Sequence, residues 1–143
     1  MKGIVFSDEV QRIVGPTLVE RGFALDQVDE GADEGGRELS IVYYRGPDCR
    51  LQIYRSAREG ETNCMIAPLT APNEYGLRSA SRRWRHLAKY VERPDLPFND
   101  LLRLAREEHD AYESSLHWVA AFIEKHLSAA QLAIESEISS SDE

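Results

Sequence analysis

The hydrophobic pattern is clearest in the middle of the chain, across residues 38–68. Large apolar residues fall at alternate positions, Leu39, Ile41 and Tyr43, then Cys49, Leu51 and Ile53. That is the period of strands with one buried face. Gly46-Pro47-Asp48 between them has turn chemistry: free φ, fixed φ, and a side chain able to bond its own backbone. Setting Arg45 opposite Cys49 places Tyr43 against Leu51 and Ile41 against Ile53. A second turn, Ala57-Arg58-Glu59-Gly60, pairs Ser56 with Glu61, Ile53 with Cys64 and Leu51 with Ile66. The predicted core face carries Ile41, Tyr43, Leu51, Ile53, Cys64 and Ile66. Val42, Tyr44, Arg50, Gln52 and Tyr54 fall on a half-wet opposite face. A weakly patterned strand over 23–28 precedes these three.

Helical spacing flanks the strands. Ser7 is the expected N-cap of a first helix, with Asp8 and Glu9 favoured by its dipole and a stripe of Val10, Ile13, Val14, Thr17 and Leu18. Gly15-Pro16 predicts a kink or two short helices sharing a face. Gly22 then closes the element, with Phe23 as its apolar contact. Downstream, Trp84, Leu87, Ala88 and Val91 predict a helix ended by Arg93-Pro94. Asn99 or Asp100 caps the next, with Leu101, Leu104, Ala105 and Tyr112 on one side and a break near 107–110. Leu116, Val119, Ala120, Ile123, Leu127, Ala130 and Ile134 give the last stripe, widened by Trp118 and Phe122.

The expected fold is therefore α+β: an N-terminal helix, a four-stranded antiparallel β-meander, and three C-terminal helices packed on one sheet face. A single domain spans 1–138, followed by a disordered acidic tail at 139–143. One helix over 110–138 would be about 43 Å long, against strands of about 20 Å. Its overhanging apolar residues need a cover. Trp118, Phe122, Ile123, Leu127, Ala130 and Ile134 are thus the expected self-association surface of a two-fold homodimer. A bend near Ser128 that returns the tail to its own chain is the competing cover.

Charge adds one feature. The chain has 143 residues, 42% apolar, with a net charge of −8. That is enough to build a core, and the sign disfavours general DNA or membrane binding. Residues 1–75 hold 13 acids and 8 bases, 76–93 hold 1 and 6, and 94–143 hold 11 and 3, giving −5, +5 and −8. On a helical wheel Arg78, Arg82, Arg85, His86, Lys89 and Arg93 lie opposite the Trp84 stripe. This basic ridge is the expected partner-binding surface. The competing explanation is a solvated face neutralised by the protein's own acids.

No residue pattern carries recognised chemistry. The loop 31–37 is glycine-rich but lacks the Lys and Ser/Thr of a nucleotide loop, and neighbouring acids would repel phosphate. It also fails the calcium-loop spacing. Cys49 and Cys64 lie about four residues apart along the sheet, roughly 13 Å, and read as core hydrophobes, not a disulfide. Glu113 and His117 share a helix face but need a third ligand from elsewhere to hold a metal. No catalytic, metal or cofactor site is expected. The absence of a cationic apolar leader and of any long apolar run predicts a cytoplasmic, non-membrane protein.

In size, acidity and the order helix then antiparallel meander, the chain resembles small bacterial immunity proteins and secretion chaperones. No motif specific to either is present, and no residue is carried over. The resemblance implies binding to other proteins. The leading expectation is a non-enzymatic protein-binding or regulatory module whose basic helix meets an acidic partner. A nucleic-acid-associated regulator using that helix on phosphates comes second, and a small-molecule enzyme with a pocket between sheet and helices third.

Overall fold

The computed structural model describes residues 5–32, 35–76, 83–90 and 95–141. In chain order these form α1 (Phe6–Ile13), α2 (Gly15–Glu20), β1 (Ala24–Ala32), β2 (Glu38–Arg45), β3 (Cys49–Ser56), β4 (Glu61–Pro68) and β5 (Arg85–His86). A 3-10 turn (Leu87–Tyr90), α3 (Phe98–Asp110) and α4 (Ser115–Ser141) follow. The sheet is antiparallel with order β1-β2-β3-β4-β5. The class is α+β, as the hydrophobic periods indicate. Five strands replace the expected four, two short helices replace the first, and two α-helices are described after the sheet.

The N-terminal pair forms where Gly15-Pro16 requires a break. Val10, Val14 and Leu18 still share one buried face. Ser7 does not cap α1. Val5 takes the N-cap position, two residues earlier, and the Ser7 amide donates to Glu30 Oε1 at 3.0 Å, so a carboxylate from β1 satisfies the helix end. At the far end Gly22 takes φ 85°, and the Phe23 amide donates to Leu18 O at 3.0 Å. This is the left-handed closure expected of Gly22.

The first hairpin corrects the predicted register by one residue. The Gly46 amide donates to Cys49 O at 2.9 Å, so Pro47-Asp48 alone form the loop. Arg45 therefore faces Arg50, not Cys49, and Tyr44 faces Leu51. A one-residue slip sends every side chain of β2 to the other face. Val42 and Tyr44 join Cys49, Leu51, Ile53, Cys64 and Ile66 beneath the helices, while Ile41 and Tyr43 lie on the opposite face. The β3–β4 register matches expectation at Ser56–Glu61, Ile53–Cys64 and Leu51–Ile66.

Both faces of the sheet are covered. The helix face buries Phe6, Val10, Val14 and Leu18 from α1–α2, and Leu116, Val119, Ile123, Leu127, Ala130 and Ile134 from α4. The face expected to be half-wet instead holds a second core of Ile41, Tyr43, Tyr54, Met65, Ala67, Ala71 and Trp84. A strap, residues 69–76, lies over it and is held by polar pins. Fully buried Gln52 donates to Glu74 O at 2.9 Å and accepts from the Gly76 amide at 3.1 Å. Arg50 donates to Ala71 O at 2.8 Å and Asn73 Oδ1 at 2.7 Å. Gly76 permits the approach: a Cβ there would sit 2.5 Å from Met65 Sδ.

Cys49 and Cys64 are free and buried, as their spacing predicts. Burial, with Asp48 adding to it, pushes the Cys49 thiol up to about 12, and burial raises Cys64 as well. Neither is a reactive thiolate.

Candidate functional site

The expected basic helix is replaced, over its described part, by β5 and the 3-10 turn. Arg85 pairs with Ile66 and His86 with Met65 along the β4 edge. Trp84 and Leu87 resemble two positions of one helical stripe, yet each anchors in a different core. Trp84 enters the strap-side cluster and donates from Nε1 to Pro72 O at 2.9 Å, whereas Leu87 enters the helix-side cluster. The chain thus crosses the sheet edge between them. Arg85 and His86 are half-buried and Lys89 is exposed, 5.4 Å from the Tyr90 ring centroid. Successive strand residues point to opposite sides, so these three cannot form one helical ridge. Arg78, Arg82 and Arg93 lie outside the described residues.

The expected self-association stripe is accounted for within the chain. Ile123, Leu127, Ala130 and Ile134 are all at most 2% exposed, in one cluster with α1, α2 and the sheet. The overhang is covered because α1 and α2 pack against α4 in the same core cluster. Only Trp118 and Phe122 remain half-buried. They form an aromatic row along the flank of α4, with ring centroids 5.5 Å from His109 to Trp118, 5.0 Å to Phe122 and 4.7 Å on to His126. The helix begins at Ser115 and continues to Ser141, past the predicted start of the tail. Asp142 and Glu143 lie outside the described residues.

Helix α3 is the opposite case. Its apolar positions Phe98, Leu101, Leu102 and Ala105 recur at helical spacing, yet none of its thirteen residues is buried. Phe98 is 71% exposed, Leu102 49% and Leu104 40%. No side chain caps its start, where Pro97, not Asn99 or Asp100, takes the N-cap position. Side-chain attachments to α4 lie at its C-terminal end: Glu108 with Lys125 at 3.8 Å, and His109 Nε2 with Ser115 Oγ at 3.2 Å. Arg103 pairs along the helix with Asp100 and Glu107. Arg106, beside Leu102 on the wheel, makes no ion pair among the described residues.

Two open clefts lie among the described residues. One, of about 490 Å³, lies between the β3–β4 turn and the α3–α4 junction, lined by Arg55, Thr62, Asn63, His109, Ser115 and Trp118 among others. It contains an Asp–His–Ser sequence of contacts, with His109 Nδ1 3.6 Å from Asp110 and Nε2 on Ser115. A serine nucleophile needs a histidine oriented by a buried, hydrogen-bonded carboxylate. Asp110 is 70% exposed and beyond hydrogen-bond distance, so nothing fixes the imidazole as a base. Arg55 in this cleft is held by Glu38 at 2.7 Å and lies over the Phe6 ring. Glu113 and His117 meet at 3.6 Å, and no group of three or more metal-binding side chains occurs among the described residues.

The second cleft, of about 460 Å³, opens between β1–β2 and the strap. Asp29, Leu39, Ile41, Tyr43, Glu74 and Tyr75 line it. Burial, reinforced by the Asp29 and Glu74 carboxylates, holds the Tyr43 phenol well above its ordinary range. The corrected β2 register places Tyr43 and Ile41 here, which is why sequence reasoning missed this site. Among the described residues no helix is long and apolar enough to cross a membrane. No family model, no curated protein and no solved structure matches the chain.

Proposed function

We infer that this chain is a non-enzymatic protein-binding module that presents α3 and the basic stretch preceding it in sequence to an acidic protein partner. The observation that carries this reading is the uncovered apolar stripe of α3. Isolated helices of about 13 residues are marginal in water, and none of the residues of this one is buried. A complementary groove would cover Phe98, Leu102 and Ala105 together, in the mode by which amphipathic helices dock. The sign of the partner follows from charge. Arg106 borders the stripe, Arg85 and Lys89 precede it, and residues 76–93, including Arg78, Arg82 and Arg93, carry +5 in a chain of −8. Carboxylates rimming the partner's groove would meet these cations and oppose wrong partners.

The test is chemical cross-linking in native lysate followed by peptide mapping, on the natural chain and a Phe98→Asp, Leu102→Asp variant. Both positions are exposed, so the variant should melt as the natural chain does. The expected result is a protein whose cross-links fall on α3 and the 83–90 stretch and which the variant fails to recover. Recovery lost on nuclease treatment, with steep weakening in salt, would instead favour the nucleic-acid reading. A mass of twice the chain, with cross-links between copies, would make the occupant a second copy.

A further inference from the structure

We propose that the outer edge of β1 docks an extended basic peptide, which joins the sheet as a further strand. The sheet order leaves β1 terminal, paired with β2 alone among the described residues. Its nine residues are all exposed, whereas β2, β3 and β4 each bury at least five of eight. Backbone groups on the outer side of a terminal strand have no ladder partner. At the other end of the sheet that need is met: β5 pairs with Met65 and Ile66, and the Cys64 amide donates to Asn63 Oδ1 at 2.8 Å. Among the described residues no loop or side chain bonds a β1 main-chain group in this way. Edge strands are ordinarily blunted by lysine, proline or a bulge. Strand β1 has neither lysine nor proline, and its bulge lies near its start, between Leu25 and Gln27. From Gln27 to Ala32 it runs in unbroken register with β2, an open edge of about 20 Å.

Charge selects the occupant. The strand carries three acids, Asp26, Asp29 and Glu30, and no base. Arg50 engages Asp26 at 3.5 Å. Asp29 accepts from the Gln27 side-chain amide and Glu30 from the Ser7 backbone amide, each at 3.0 Å, and both donors are neutral. Neither carboxylate makes an ion pair among the described residues. Successive strand residues point to opposite faces. Asp29 therefore shares the strap side with its partner Ile41, and Glu30 lies on the helix side. A strand laid beside β1 meets these two acids with two adjacent residues, one on each face. Adjacent lysines or arginines match them, since cross-strand pairs of opposite charge stabilise and like pairs destabilise. A second copy is the wrong occupant, because pairing β1 with itself sets three acids against three. Val28, 37% exposed, offers apolar contact to a residue flanking the basic pair. Gly31 leaves the approach open, with nothing within 4 Å of where a Cβ would stand. In such strand addition, main-chain bonds supply affinity and alternate side chains supply specificity.

The experiment is a nuclear magnetic resonance titration of the full chain, with amide exchange, using three capped peptides. These are Thr-Val-Lys-Lys-Val-Thr, its counterpart Thr-Val-Glu-Glu-Val-Thr, and the lysine peptide N-methylated at every residue, which keeps its charge and loses its backbone donors. The lysine peptide should give saturable shifts from Gln27 to Ala32 and slow the exchange of the outward β1 amides by about tenfold or more. The other two should do neither. Asp29→Asn with Glu30→Gln should weaken binding several-fold at an unchanged melting temperature, since both amides keep the oxygen that accepts from Gln27 and Ser7. Equal binding of the N-methylated peptide would reduce the effect to charge alone and overturn strand addition. Equal binding of the glutamate peptide would overturn the charge assignment. Outward β1 amides already protected in the free chain would show that the edge is covered, by its own chain at a monomeric mass or by a second copy at twice that mass. Either result, or no saturable shift at concentrations on the order of 10 mM, would overturn the proposal.

Discussion

Helices α4 and α3 are neighbours in sequence, both show apolar residues at helical spacing, and they meet opposite fates. In α4 the stripe from Leu116 to Ile134 is sealed against β4, α1 and α2. In α3 no residue is buried, although Phe98, Leu101, Leu102 and Ala105 would fill a groove equally well. Periodicity marks a face that needs a cover; it does not say whether the cover lies in the same chain. Here the answer is set by topology. Helix α4 crosses the sheet, whereas α3 is attached to α4 through its last turn. The wider and more apolar stripe, which the sequence suggests for self-association, is the one already occupied.

The comparison breaks most readily in the core. Leu127→Ala should cost about 2–5 kcal/mol of unfolding free energy by urea denaturation, the range for emptying a fully buried site. A loss below about 0.5 kcal/mol would mean that the stripe is not sealed. Leu102→Ala, the matched change on α3, should stay within about 0.5 kcal/mol of the natural chain, as exposed substitutions do.

A second effect comes from groups that only the sheet and its covers protect. Cys49, Cys64, Tyr43, Tyr44 and Tyr54 all have raised values in the folded chain, starting from 9.0 for the thiols and 10.0 for the phenols. Raised folded values mean that the native state holds these protons more tightly than the unfolded one. Their contribution is complete below the unfolded values and is lost as pH rises through and beyond them. Stability should therefore be level through neutral pH and fall above about pH 9. A flat urea midpoint across that window would contradict the burial of these side chains. The smallest expected effect is at the junction. Lys125→Ala removes an exposed contact with Glu108 and should leave the melting temperature unchanged.

The fold class and several of its details were legible in the residues. The β3–β4 register followed from alternation on both strands, because Leu51, Ile53, Cys64 and Ile66 agree on a single face. The β2 register did not. Strand β2 carries apolar residues at successive positions, Ile41-Val42-Tyr43-Tyr44, since both faces are covered, and alternation cannot then choose between two registers. The two-residue loop closed by Gly46 and Cys49 makes the choice. The strap was illegible because its cover is held by Arg50, Gln52 and backbone atoms, which leave no hydrophobic period. For Trp84 and Leu87 a spacing of three suggested one helix face, but they straddle a sheet edge. The candidate cleft around Tyr43 inherits both difficulties.

The central claim is that α4 is covered by its own chain and α3 is not. Amide hydrogen exchange on the free protein at neutral pH reads this helix by helix. Amides of α4 between Val119 and Leu127 should open only with global unfolding, while those of α3 between Leu102 and Arg106 should exchange at least about a hundredfold faster, through local opening. Equal protection of the two helices would contradict the account, because it would show that α3 already has its cover.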